Sequence, residues 1–161
     1  MCEVLINILG TVLGGLCLTF ILFVLNEYFF RNENLTGEWI TCVKITKTSY
    51  KPFENLVVEY KIHLIQKGHE LSGSGEKVKE IKPNGEEIIF KRENRVLIDI
   101  EGYFEKRYLR KSKIYLNIEE EGRKRETRAT YFLSLDNDKA LIGTFISTAA
   151  DASGSVRLNR T

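Results

Sequence analysis

The side chains of this chain best suited to chemistry are arginines and lysines interleaved with aromatic rings. Basic residues gather in Lys91-Arg92-x-x-Arg95, in Lys106-Arg107-x-x-Arg110-Lys111-x-Lys113, in Arg123-Lys124-Arg125-x-x-Arg128, and at Arg157 and Arg160. Between and beside them stand Phe90, Tyr103, Phe104, Tyr108, Tyr115, Tyr131 and Phe132. A guanidinium pairs its planar fork with phosphate oxygens and an aromatic face stacks a ring, so the combination suits a phosphorylated nucleobase. The candidates for such a binding site are Arg92, Arg107, Arg110, Arg128 and Arg157, with Tyr60, Tyr103 and Tyr131. The competing explanation is an ordinary solvated sheet surface whose cations balance neighbouring carboxylates.

Other chemistry finds little support. The chain has no Walker loop, dinucleotide fingerprint, Cys-x-x-Cys, His-Glu-x-x-His or Gly-x-Ser-x-Gly. Ser72-Gly73-Ser74-Gly75 comes nearest to a phosphate-cradling loop, but no helical pattern follows it and it reads as a bent strand. His63 and His69 are six residues apart, and with Cys42 as the single cysteine after the apolar N-terminus they make a poor set of metal ligands. His63 shares the polar face of its strand with Glu59 and Lys61, the position of a solvated histidine. No acid–base pair stands out among the many glutamates. The reading is a binding protein, not an enzyme, without metal or cofactor.

The elements that must carry these residues fall into two parts. Val4–Leu25 is a run of twenty-two residues with no ionisable side chain. As a helix it would be about 33 Å long, enough to cross a hydrocarbon core of about 30 Å. A cleaved secretory signal would have a positive start, a shorter apolar run and a small-residue cleavage site, and none of these is present. Met1-Cys2-Glu3 precedes the run, and Tyr28, Phe29, Phe30 and Arg31 follow it in the manner of an interfacial belt. Positive charge lies only after the span, at Arg31, Lys44 and Lys47, which predicts a cytoplasmic C-terminal domain. Three cysteines, with only Cys42 beyond the span, fit a reducing compartment. Asn34-Leu35-Thr36 and Asn159-Arg160-Thr161 match the glycosylation triplet, which matters only in a eukaryotic secretory lumen. Within the span, Gly10-x-x-x-Gly14 with Asn7 one turn earlier sets small residues and an amide on one face, a pattern for self-association.

Residues 32–161 form the second part, the size of one domain with its own core. Of 24 basic and 22 acidic residues only Glu3 and Glu27 precede Arg31, which leaves residues 31–161 with 24 − 20 = +4. That mild excess suits an anionic ligand or lipid surface and argues against a DNA or RNA polymer as partner. The hydrophobic period is two. One face reads Leu56, Val58, Tyr60, Ile62 and Leu64, another Val96, Ile98, Ile100, Gly102 and Phe104, and similar alternation runs through Ile114, Leu116, Ile118 and through Ala129, Tyr131, Leu133, Leu135. Breakers separate these runs at Lys67-Gly68-His69, Pro83-Asn84-Gly85, Glu121-Gly122-Arg123, Asp136-Asn137-Asp138 and Asp151-Ala152-Ser153-Gly154, and Asn84-Gly85 and Glu121-Gly122 are hairpin-type turn chemistry. The expected fold is all-β: about eight antiparallel strands in an up-and-down barrel, after one N-terminal transmembrane helix over 1–31. Gly73, Gly75, Gly143 and Gly154 are the expected bends.

Leu35-Thr36-Gly37-Glu38-Trp39 resembles the Gly-x-Trp opening of lipocalin- and avidin-like barrels, where the tryptophan plugs one end. The whole order, an N-terminal span, then a minimal barrel opening on Gly37-x-Trp39 with no catalytic motif, resembles the membrane-anchored β-barrel effectors associated with bacterial cyclic-oligonucleotide synthases in antiphage defence. The resemblance implies a barrel on the cytoplasmic side of the bacterial inner membrane. There it would bind a cyclic di- or oligonucleotide, form a ligand-induced homo-oligomer and disrupt the membrane to kill the infected cell. Many members carry two membrane helices, whereas residues 1–30 here have room for one. Two other readings stand beside it: a membrane-tethered, lipocalin-like carrier of a small apolar ligand, and a partner-binding subunit of a membrane complex.

Overall fold

Alternating side chains from Gly37 onward build a sheet whose first and last strands meet, as a computed structural model of the chain shows. The structure describes residues 2–25, 33–91, 94–107, 110–122, 126–137 and 139–161. They fall into two units, 1–33 and 34–161.

The first unit contains the helix α1, Cys2–Val24. Its stretch Ile6–Val24 is long and apolar enough to cross a membrane. Two hydroxyls that hydrocarbon would leave unsatisfied bond back into the helix: Thr11 Oγ1 donates to the Asn7 carbonyl at 2.9 Å and Thr19 Oγ1 to that of Gly15 at 2.8 Å. Asn7, Gly10 and Gly14 lie on α1 at spacings of three and four residues, hence on one face, and nothing stands within 4 Å of a side chain built at either glycine.

The described residues of the second unit hold nine strands: β1 Gly37–Lys47, β2 Val57–Lys67, β3 Glu70–Ile81, β4 Glu87–Ile89, β5 Leu97–Glu105, β6 Lys113–Glu121, β7 Glu126–Asn137, β8 Ala140–Ser147 and β9 Ser153–Arg160. All pairings are antiparallel, and the ring β1-β2-β3-β5-β6-β7-β8-β9 closes through β1 against β9, while the short β4 extends the sheet beside the last residues of β3. This is a closed eight-stranded barrel with one added strand. Closure removes the unpaired edges that eight short strands would otherwise expose.

Every apolar face read by period two turns inward. Val58, Ile62 and Leu64, then Ile98, Ile100 and Phe104, then Ile114, Leu116 and Ile118, and Tyr131 with Leu133 are all buried. The interior is not filled evenly. At the end where β1 and β6 begin and β2 and β9 finish, Leu35, Trp39, Leu64, Ile114, Leu141 and Leu158 leave no space. Trp39 is wholly enclosed, its indole N–H donating to the Leu35 carbonyl at 3.0 Å and its ring lying 5.6 Å beneath the Arg160 guanidinium. The plug expected from Gly37-x-Trp39 is therefore present. Beyond it, at the opposite end, the packing opens.

Candidate functional site

The open end of the barrel is a cavity of about 290 Å³. It is reached from the last residues of β1, β3, β6 and β8 and the first of β2 and β7. Most of its wall is apolar: Val43, Leu56, Val58, Ile118, Ala129 and Phe145 are among the lining residues. Tyr60 and Tyr131 add aromatic rings and hydroxyls to the lining. One group of charged side chains completes the wall, formed by Lys77, Glu80 and Glu120.

Two local features turn these charges inward. Glu120 continues the alternation of Ile114, Leu116 and Ile118 by one step, so its side chain faces in by simple period. Lys77 and Glu80, three residues apart, would face opposite sides of a regular strand. A bulge of β3 against β2 places Lys77 opposite Tyr60 and Glu80 opposite Val58, both of which point inward, and takes up Val78 as the extra residue. The Lys77 ammonium lies 3.3 Å from Glu80, 3.8 Å from Glu120 and 4.9 Å from the centre of the Phe90 ring. The Tyr60 hydroxyl donates to Glu120 Oε2 at 2.8 Å.

Burial pushes both phenols above the usual tyrosine range. At Tyr131 the Glu120 charge adds to burial, and at Tyr60 the neighbouring Tyr131 and Glu120 do. In the unfolded chain a tyrosine ionises near pH 10, roughly. Below that value both states keep their protons and stability is unaffected; above it the unfolded chain releases protons that the barrel retains, so stability falls as pH rises. For Tyr131 the expected loss is up to about 1.4 kcal/mol per pH unit. Urea unfolding between pH 9 and 12 is expected to show a falling alkaline limb that Tyr131→Phe makes shallower.

The candidates named from the sequence do not form one site. Tyr60 and Tyr131 share the cavity. Tyr103 lies on the outer face of β5, 49% exposed, its ring stacked on His69 with centroids 5.7 Å apart. Arg107 follows β5 and pairs with Glu105 at 2.8 Å. Arg110 is exposed in the connection between β5 and β6, at the plugged end. Arg128 projects outward from β7 onto Glu119, its cross-strand neighbour, at 3.0 Å. Arg157 is exposed on β9, its Nε donating to Asn159 Oδ1 at 3.1 Å. Arg92 and the run Arg123-Lys124-Arg125 lie outside the described residues. The four described arginines thus correspond to the solvated-sheet alternative in their placement, because each occupies an outward strand position or a connection. Among the described residues no group of histidine, cysteine and carboxylate side chains is arranged to hold a metal ion.

Lys77, Glu80 and Glu120 are the site residues that the sequence reading missed. For Glu120 the signal was available in the alternation of β6. For Lys77 and Glu80 it was not, since a bulge leaves no mark in Glu76-Lys77-Val78-Lys79-Glu80.

No family model and no curated protein matches this chain. Among solved structures, a redesigned β-barrel is similar to it with a TM-score of 0.52 and 11% sequence identity, over 79% of this chain and 91% of that chain. At that identity the likeness is one of architecture, and it places residues 34–161 among closed β-barrels.

Proposed function

We propose that this chain is a non-enzymatic, membrane-anchored receptor and effector of bacterial antiphage defence. Its barrel binds a cyclic di- or oligonucleotide from the cytoplasm, and binding drives self-association that disrupts the inner membrane. The observation that carries the reading is the cavity: Tyr60 and Tyr131, two residues singled out for stacking a base, line one opening in a barrel that is joined to an apolar helix. Ligand and assembly are linked through affinity. A ligand that binds the oligomer more tightly than the monomer shifts the population by that difference and no further. In the membrane, the Asn7, Gly10 and Gly14 face of α1 supplies the contact through which many copies of a single helix associate.

The lining also favours a second reading. A largely apolar cavity closed at one end by Trp39 suits a carrier of a small apolar ligand. Titrating the full-length protein in lipid nanodiscs with labelled cyclic di- and trinucleotides, and in parallel with a fluorescent fatty acid, separates the two. Micromolar binding of a cyclic nucleotide, with a rise in oligomeric state in detergent, is expected. Saturable binding of the fatty acid alone would make the protein a carrier.

A further inference from the structure

We infer that Glu120 is the recognition group of the cavity and that it selects a nucleobase presenting adjacent N–H donors, guanine above all, which enters base first and leaves its phosphates outside. This rests on the cyclic-nucleotide reading and adds to it the orientation of the ligand and the identity of its base.

Charge decides the orientation. Among the described residues the cavity wall holds one ammonium, Lys77, and two carboxylates, Glu80 and Glu120, so its charged group carries one net negative charge. The three side chains are only 12%, 17% and 22% exposed, which weakens solvent screening. The ammonium is already held by Glu80 and by the face of Phe90. A phosphate drawn to this depth would meet a surplus of negative charge. A neutral base would not.

Hydrogen-bond capacity decides the base. Tyr60 fixes Glu120 through Oε2, while Oε1 stands 3.8 Å from the Lys77 ammonium, too far for an N–H···O bond. Oε1 therefore has no hydrogen-bond partner among the described residues, on a side chain that lines the cavity. A carboxylate only accepts, so its partner must donate. The Watson–Crick edge of guanine places its ring N–H and its amino group side by side, one for Oε1 and one for the second lone pair of Oε2, beside the one that Tyr60 uses. Adenine and cytosine set an amino group beside a ring nitrogen that repels the carboxylate, and uracil sets its one N–H between two carbonyls. Tyr60 and Tyr131 supply the flanking aromatic surface.

The test uses full-length protein in nanodiscs and calorimetric titration with cyclic di-GMP, cyclic di-IMP and cyclic di-UMP. Hypoxanthine is guanine without its amino group, so the first two differ only in the donor assigned to Glu120. Cyclic di-GMP is expected to bind at least 10-fold more tightly than cyclic di-IMP, with cyclic di-UMP weakest. Glu120→Gln is expected to remove the preference between the first two, with cyclic di-UMP affinity changed less than 3-fold. The comparison on unaltered protein holds even if the variant fails to fold. Equal affinities for the three ligands would overturn the assignment of Glu120 and leave the receptor reading standing. Binding of none of them would overturn the guanine assignment, and the receptor reading falls as well if the wider set of cyclic di- and trinucleotides also fails to bind.

Discussion

Gly143→Val is expected to leave no closed barrel. Gly143 points inward from β8, and a Cβ there would sit far inside the van der Waals surface of the Phe132 carbonyl on β7. Backbone atoms that belong to the β7–β8 ladder stand in the way, so the strands must part to admit even a methyl group. Overpacking against movable side chains costs about 1–3 kcal/mol. Against a carbonyl of the ladder, Gly143→Ala should cost about 3–5 kcal/mol, a large part of the roughly 5–15 kcal/mol that holds a domain together. Chemical denaturation of the alanine variant and circular dichroism of the valine variant check this. Gly154 meets the Lys44 carbonyl in the same way, so the first and last strands approach as closely at the closing seam. Gly68 supplies the contrast: it adopts φ +63° in a turn with open space around it, and Gly68→Ala should cost only about 1 kcal/mol.

Filling the cavity should separate stability from binding. Ala129 projects from β7 beside Ile118 and Tyr131, and the 290 Å³ next to it has room for a larger side chain. Ala129→Leu adds buried apolar surface and is expected to stabilise the barrel by about 0.5–2 kcal/mol. Ala129→Phe places its ring where the ligand's base would lie. Affinity for the cyclic nucleotide should fall at least 30-fold, equivalent to about 2 kcal/mol, while the melting temperature holds or rises. A variant more stable than the parent and equally good at binding would place the ligand elsewhere, with the outer arginines next to be examined. The opposite signs give the experiment its force, because loss of binding in a destabilised variant says nothing about location.

How much of this was legible beforehand depended on which physical signal each element carried. Period two is strong where Leu, Ile and Val alternate with charge, so β2, β5, β6 and β7 were read with the correct face inward, and Tyr60 and Tyr131 came with them. The plug at Trp39 followed from one short motif. In β3 the inward positions Gly73 and Gly75 carry no side chains, so no apolar face announced its register, and the bulge behind them hid the inward turn of Lys77 and Glu80. The arginines show the reverse failure. Of the cluster around Lys106, Arg107 and Arg110 fall in a connection on the plugged end, and Arg128 becomes half of an ordinary cross-strand pair with Glu119. Composition indicates that a sheet carries cations. Only topology tells whether they converge.

The start of the barrel is fastened by its finish. Arg160 donates to the carbonyls of Asn34 and Thr36, Thr161 donates to that of Glu38, and Gln66 binds the Leu35 amide through its side chain. Beyond these, β1 lies between β2 and β9 and is bonded along its length on both sides. A pull arriving through the chain at Glu33 would therefore load two ladders in shear, many bonds at once, instead of peeling one strand from an edge. Mechanically, β1 is an embedded anchor bolt. Tension or torque delivered at Glu33 is shared between the β1–β2 and β1–β9 ladders.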